Sequence, residues 1–318
     1  MDMTSCNHCQ GGEFSLVFKA KDYLTETSFS VVRCRGCGLV MVNPRPTVDE
    51  IGRYYPDLYY GEQPFLYEKL DASSRFKQVR RYVKSGDRVL DVGCGRGLVL
   101  DKLKNIGCDV VGTELSEHSS KYAREILGID ILRKNLEECS FESGSFDCVT
   151  MFHSLEHLYD PLGALREVHR ILKPNGRALV EVPRFDSIYS SIFKDKWFHL
   201  DVPRHLYHFE DKTLSGMLKK AGFEVVDIKK YAIMYDSFGA LQSLLNCICH
   251  DFNLLNDLNT KRKLPGDIFQ SGDMRQKFDL VLSFAAQGVL YLPMVFLAYA
   301  LMLFNAGGTL RIWAQKKV

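Results

Sequence analysis

One stretch restricts what this chain can fold into more than any other: Arg88-Val-Leu-Asp-Val-Gly-Cys-Gly-Arg-Gly97. Val89, Leu90 and Val92 form a short apolar run of the kind found in strands buried on both faces. It stops at Gly93, Gly95 and Gly97, and a helical pattern follows. Such a strand, glycine turn and helix bring bare backbone N–H groups against a ligand, with no Cβ in the way. Further along, the spacing predicts strands over 88–93, 109–115, 130–134, 146–153, 177–182 and 224–230, with helices over 97–106, 116–127, 160–172 and 211–221. Strict alternation of this kind implies an α/β fold: a doubly wound, mostly parallel sheet covered on both faces, with ligands beyond the carboxyl ends of its strands. A strand over 308–317 would bring the sheet to seven. Upstream, residues 66–84 read as a helix with Leu66, Leu70, Phe76, Val79 and Val83 facing inward.

The glycine spacing narrows the ligand. Dinucleotide-binding turns read G-x-G-x-x-G, whereas here the three glycines alternate and Asp91 lies just before them inside the strand. This pattern resembles the first motif of class I S-adenosylmethionine-dependent methyltransferases. The resemblance implies that Asp91, with the backbone of Gly93, Cys94, Gly95 and Gly97, holds the methionine end of that cofactor. Glu114 ends the next strand about 20 residues on, where a carboxylate takes ribose hydroxyls in doubly wound folds. Asn135 and Leu136, just past the third strand, fall where that family contacts adenine, and Phe152 at the end of the fourth completes the cofactor set. Leu172-Lys-Pro-Asn-Gly176 resembles the turn before the family's fifth strand.

Chemistry is expected from Met151-Phe-His-Ser-Leu-Glu-His157. A helical turn would put His153, Glu156 and His157 on one face at the ligand edge. The segment resembles the Glu-x-x-Glu-His motif of ubiquinone-type O-methyltransferases, in which those groups hold a divalent cation. Here His153 replaces the first Glu. Magnesium prefers oxygen ligands, so the change favours a histidine general base over a metal. A second group, Trp197-Phe-His199-Leu-Asp201-Val-Pro-Arg204-His205-Leu-Tyr-His208, follows the fifth strand and resembles the substrate-side loop of the same methyltransferases. His199 and His205 join the catalytic candidates, with a purely structural role equally open.

At the N-terminus, Cys6-x-x-Cys9 and Cys34-x-x-Cys37 flank strand-like alternation over 14–18 and 28–32, the pattern of a four-cysteine zinc ribbon. Four thiolates leave no open coordination position, so such a zinc is structural. The ribbon and linker are expected over 1–60 and the catalytic core over 61–235. Tyr54, Tyr55, Tyr59, Tyr60 and Phe65 follow the ribbon. Ribbon, tyrosines and glycine motif together resemble a bacterial methyltransferase subgroup acting on carbohydrates and secondary metabolites, which would make a tyrosine a substrate contact; ordinary packing is the alternative.

A net charge of +2 and the lack of Lys or Arg among the tyrosines argue against nucleic acid. The N-terminus has no basic segment leading into an apolar run, so a cytoplasmic location is expected, and ten cysteines fit metal ligands or buried thiols there. Between the predicted strand at 224–230 and the last one, residues 236–306 form a helical insert. No charge occurs from Leu280 to Leu310, and Pro293 is expected to divide this run. A return to the sheet excludes a single membrane span. Lys261, Arg262, Lys263, Arg275 and Lys277 precede the run and would suit the anionic inner face of a membrane, touched peripherally through 280–306. A homodimer contact and an internal lid remain open. The expected activity is methyl transfer to the hydroxyl of a small-molecule or glycan acceptor. Its rivals are a cofactor-sensing or RNA- or protein-binding module and an NAD enzyme.

Overall fold

The computed structural model describes residues 1–56 and 65–317. In chain order its elements are β1 (Phe14–Lys21), β2 (Ser28–Cys34), β3 (Val40–Val42), α1 (Val48–Ile51), α2 (Phe65–Val79), β4 (Arg88–Val92), α3 (Leu98–Lys104), β5 (Asp109–Thr113), α4 (Glu117–Glu125), β6 (Asp130–Leu132) and β7 (Phe146–Phe152). There follow α5 (Pro161–Ile171), β8 (Leu172–Pro183), α6 (Ile188–Phe193), β9 (Tyr207–His208), α7 (Asp211–Lys220), β10 (Phe223–Lys229), α8 (Ile233–Ile248), α9 (Leu254–Asn259), α10 (Pro265–Ser271), α11 (Met274–Leu303) and β11 (Thr309–Lys316). They group into two compact units interleaved along the chain.

The first, which we call the sheet unit, comprises 68–182, 211–229 and 310–318. Its seven strands run in the order β10-β11-β8-β7-β4-β5-β6. β4 pairs in parallel with β5 and β7, β7 with β8, and β5 with β6, while β10 and β11 are antiparallel. Val89 and Leu90 are fully buried, as a strand packed on both faces requires. α5 buries Leu162, Leu165, Val168 and Ile171 at helical spacing, and Asp160 caps it by accepting from the Gly163 N–H at 2.9 Å. Pro174-Asn-Gly176 is not a separate turn: it bulges out of β8, where partners step from Phe146–Leu172 to Cys148–Arg177 and Asn175 adopts φ +63°. On α2 the inward positions are Ala72, Phe76 and Val79; Leu70, expected inward, is 48% exposed because it lies off that stripe.

The second unit, 1–67, 183–210 and 230–309, carries an antiparallel sheet ordered β1-β2-β3-β9. Phe29, Tyr54, Phe185, Tyr189 and Trp197 fill its main core. Tyr54 is buried and meets Phe29 edge-on at 5.5 Å, so this tyrosine packs. Tyr59, Tyr60 and the side chains of Phe65 and Leu66 lie outside the described residues. Helix α11 passes through Pro293 without a break, contrary to expectation. An internal proline costs about 3 kcal/mol of helix stability. Here Ala286 and Leu290 before it, and Met294 and Leu301 after it, pack on the same unit and hold both halves in line.

Candidate active site

The glycine turn sits at the carboxyl end of β4. Gly93, Gly95 and Gly97 all have positive φ, a region that costs residues with a Cβ. A Cβ on Gly93 would come 2.8 Å from Ser154 Cβ, so this glycine lets the β7 loop close over the turn. A Cβ on Gly95 would meet nothing within 4 Å, which leaves the space beside its Cα open to an incoming molecule. Glu114 ties the next strand to the turn, accepting from the N–H of Gly95 at 2.9 Å and from that of Ser116 at 2.8 Å. Asp91 is 3% exposed and accepts the Thr150 hydroxyl proton at 2.7 Å. Burial pushes its carboxyl up to about 7, against the pull of Thr150 and Arg75. Ser154 Oγ is buried with no hydrogen-bond partner among the described residues. Open space beside Gly95, two carboxylates and an orphaned hydroxyl suit a ligand with a cationic group and hydroxyls. Asn135 caps the turn at Leu136–Cys139 through Glu138, and Leu136 is buried beneath it. Cys94 is half-buried beside the turn.

Beyond β7 the expected helical turn is replaced by a left-handed residue, His153 at φ +51°, and one 3-10 turn over Leu155–His157. His153 and Glu156 are still brought together, Nδ1 lying 3.4 Å from Glu156 Oε1. On its other side Nε2 lies 3.4 Å from Glu181 Oε1. Parallel pairing sets Phe152 beside Glu181 and so places the two. Glu181 in turn accepts from Arg311 Nε at 2.5 Å and lies 3.0 Å from Arg75 Nε, whose guanidinium covers the Phe152 ring at 4.9 Å. Burial disfavours the imidazolium of His153, but Glu156 and Glu181 outweigh it and hold its pKa above the ordinary 6.5. Burial likewise opposes ionisation of Glu181, yet Arg311 and Arg75 hold it well below the carboxylate range. The cluster is thus a buried network whose carboxylate charge is met from within the protein. Glu156 is buried and His157 half-buried on the turn.

Arg75, Glu181 and Arg311 escaped the sequence reading. The signal was present: an acid inside Leu-Val-Glu-Val and a base inside Leu-Arg-Ile-Trp are charges in otherwise apolar strands.

His199 and His205 lie in the second unit, both buried. The His199 ring stacks on Tyr235 at 3.8 Å, and its carbonyl accepts from His205 Nδ1 at 2.9 Å. Arg204, fully buried, pairs with Asp22 at 2.8 Å and Asp201 at 2.7 Å and donates to the Tyr54 carbonyl at 2.9 Å. In the same unit the sulfurs of Cys6, Cys9, Cys34 and Cys37 all lie within 4.8 Å of one another. A Cβ on Gly11 or Gly36 would approach Cys9 Sγ to 3.3 Å, so both knuckles close tightly round the thiols. Burial would raise Cys34, but the backbone N–H groups of Cys37 and Gly36 and the Cys9 thiol bring it down to about 7. This quartet could hold a metal ion that favours thiolates.

Residues 67–228 match a family described as methyltransferase domain. The chain belongs to that family. Over 156 residues it is 30% identical to the ubiquinone biosynthesis O-methyltransferase of Xanthomonas oryzae pv. oryzae (strain PXO99A), covering 45% of this chain and 65% of that relative. The protein of the same name from Xanthomonas axonopodis pv. citri (strain 306) is 29% identical over 160 residues, 46% of this chain and 67% of its own. The chain thus spans about two thirds of the length of these methyltransferases. Among solved structures, the cyclase SpnF superposes with a TM-score of 0.50 at 18% identity, covering 86% of this chain and 98% of SpnF. Mostly parallel strands, flanking helices and the antiparallel β10–β11 pair together make the class I methyltransferase fold. That a cyclase shares it shows that fold alone does not choose the reaction.

Proposed function

We propose that this chain transfers a methyl group from S-adenosylmethionine to an acceptor hydroxyl. The observation that carries the reading is the open glycine turn between Asp91 and Glu114, at the carboxyl ends of adjacent parallel strands, in a member of the methyltransferase-domain family. Asp91 and the backbone at Gly93 and Gly95 would hold the cationic amino-acid end, and Glu114 the ribose hydroxyls. When bound, the cofactor supplies an electrophilic methyl group.

The chain must orient the acceptor and take its proton. Both ring nitrogens of His153 face carboxylates, so this residue acts as a positioning group that carries positive charge. His157, half-buried on the same turn, is the better candidate for the base. Relatives named as O-methyltransferases support an oxygen acceptor. Resemblance to the carbohydrate-acting subgroup favours a sugar, lipid-linked glycan or related metabolite. For the cysteine quartet, zinc is the ion that four thiolates favour, in a structural role.

Calorimetry with S-adenosylmethionine tests the core of this reading. Gly95→Val should crowd that open space and Glu114→Ala should remove the ribose acceptor, each abolishing measurable binding. Unchanged affinity in both variants refutes the assignment. Metal analysis of freshly reduced protein should find one zinc per chain, lost in Cys34→Ser.

A further inference from the structure

Helix α11 poses a question that methyl transfer leaves unanswered. Its 30 residues extend about 45 Å. One stripe, through Asp279, Ser283, Ala286 and Ala298, is buried on its own unit. The opposite stripe, Val281, Phe284, Val289, Leu292, Phe296 and Leu303, repeats at helical spacing and is 46–78% exposed. Within α11 no charged residue follows Asp279.

Both ends are tied down. Asp279 Oδ2 accepts from the N–H groups of His250 at 2.7 Å and Asp251 at 2.9 Å. Past the other end, Asn305 Oδ1 accepts from the Lys230 N–H at 2.9 Å, and the Thr309 hydroxyl donates to Asp236 Oδ1 at 2.7 Å. A helix packed along its length and anchored at both ends cannot cross a bilayer, so its outer stripe lies flat against whatever covers it.

The chemistry of the stripe selects the occupant. Protein interfaces carry about one hydrogen bond per 100–200 Å², yet from Val281 to Leu303 the exposed large side chains are apolar except for Tyr299. At the start of the helix the character changes. Residues 261–277 hold five basic side chains against two acidic ones, with Lys261 and Arg275 exposed. Phe269 and Met274, 69% and 81% exposed, stand among them. An apolar stripe entered from a basic end is the pattern of an in-plane helix on an anionic membrane.

We propose that α11 is a surface anchor that seats the second unit on an anionic lipid bilayer, its outer stripe in the headgroup–acyl boundary and its basic end on the lipid charge. The test is flotation of the full chain with phosphatidylglycerol-containing vesicles and with phosphatidylcholine vesicles, beside size-exclusion chromatography without lipid. The intact protein should float with the anionic vesicles, less well at high salt. Val281→Glu/Val289→Glu/Phe296→Glu changes only exposed positions and should reduce the bound fraction more than about tenfold, with unchanged circular dichroism. Lys261→Gln/Arg275→Gln/Lys277→Gln should lose the preference for anionic lipid. Two results overturn the proposal: intact protein left at the bottom of the gradient, or a lipid-free dimer that the triple glutamate variant converts to monomer, which would assign the stripe to a second copy. Neither readout depends on methyl transfer.

Discussion

Two loops of this protein carry the same kinds of side chain and use them differently. In the loop after β7, His153 lies between two carboxylates and keeps its proton beyond the ordinary imidazole range. In the loop after β8, His199 stacks on Tyr235, His205 bonds a backbone carbonyl, and Arg204 is sealed between aspartates. The first arrangement surrounds an imidazole with ionised groups next to a ligand turn. The second stacks one imidazole on an aromatic ring, ties another to a backbone carbonyl and pairs a guanidinium with two aspartates. Residue type did not separate these loops; their partners did.

The largest expected effect would break the structural side of the contrast. Arg204→Met leaves Asp22, itself fully buried, without its cation, and loss of one partner from a buried pair costs about 3–5 kcal/mol. Glu181→Gln, which strands Arg311 while Arg75 keeps Asp71 at 3.1 Å, should cost a similar amount. Chemical denaturation reads both. A change under about 1 kcal/mol for Arg204→Met would mean that the pair is open to water, as surface pairs are.

Turnover sharpens the contrast next. Replacing His153 by Gln should lower the rate about 10²-fold with cofactor affinity little changed, if that charged group orients the reacting partners. His199→Gln should lower stability by about 1 kcal/mol through the lost ring stack and leave the rate of folded protein within about threefold. Equal rate losses in both variants would erase the distinction. On the same ring, Gly239→Ala should destabilise the second unit by about 1–3 kcal/mol, because its Cβ would lie 2.1 Å from His199 Nε2.

The smallest effects are pH dependences. His153 has a folded pKa above its unfolded value of 6.5, so its contribution is fully present below that value and is lost as pH rises through the folded pKa. The stability difference between the native protein and His153→Gln should therefore hold below pH 6.5 and shrink above it. Asp91 is also raised, from 3.8 to about 7, so its burial weighs increasingly on the fold as pH rises from 3.8 towards about 7 and by a constant amount above that. Asp91→Asn should then gain stability relative to the native protein above pH 7 while losing cofactor affinity, the trade expected of a binding carboxylate. A flat pH profile would place Asp91 in contact with water.

Much of the sheet unit could be read in advance. The strands expected at 88–93, 109–115 and 146–153 form at Arg88–Val92, Asp109–Thr113 and Phe146–Phe152, because apolar runs closed by glycine or polar residues have one good local solution. The paired C-x-x-C knuckles likewise announced the cysteine quartet, since two short turns aim thiols locally. The partners of His153 could not be read that way. Glu181 reaches it through the β7–β8 register, and Arg311 reaches Glu181 only because a strand begun 128 residues later enters the same sheet. The 3-10 geometry after β7 was equally hidden, because a single left-handed histidine decided it.

By itself, then, the sequence determined the order of strands and helices, the glycine turn with its flanking Asp91 and Glu114, and the four gathered thiols. Each depends on interactions within a few residues or on a repeating pattern of burial. The tertiary structure alone decided that 183–210 and 230–309 join the N-terminal segment in one unit. It also decided that α11 runs unbroken through Pro293 with one face packed and one bare, and that His153 lies between two carboxylates while His199 stacks on an aromatic ring. Those outcomes depend on which distant side chains arrive to share a buried volume, and buried charge and packing are settled by that arrival rather than by neighbours in the chain.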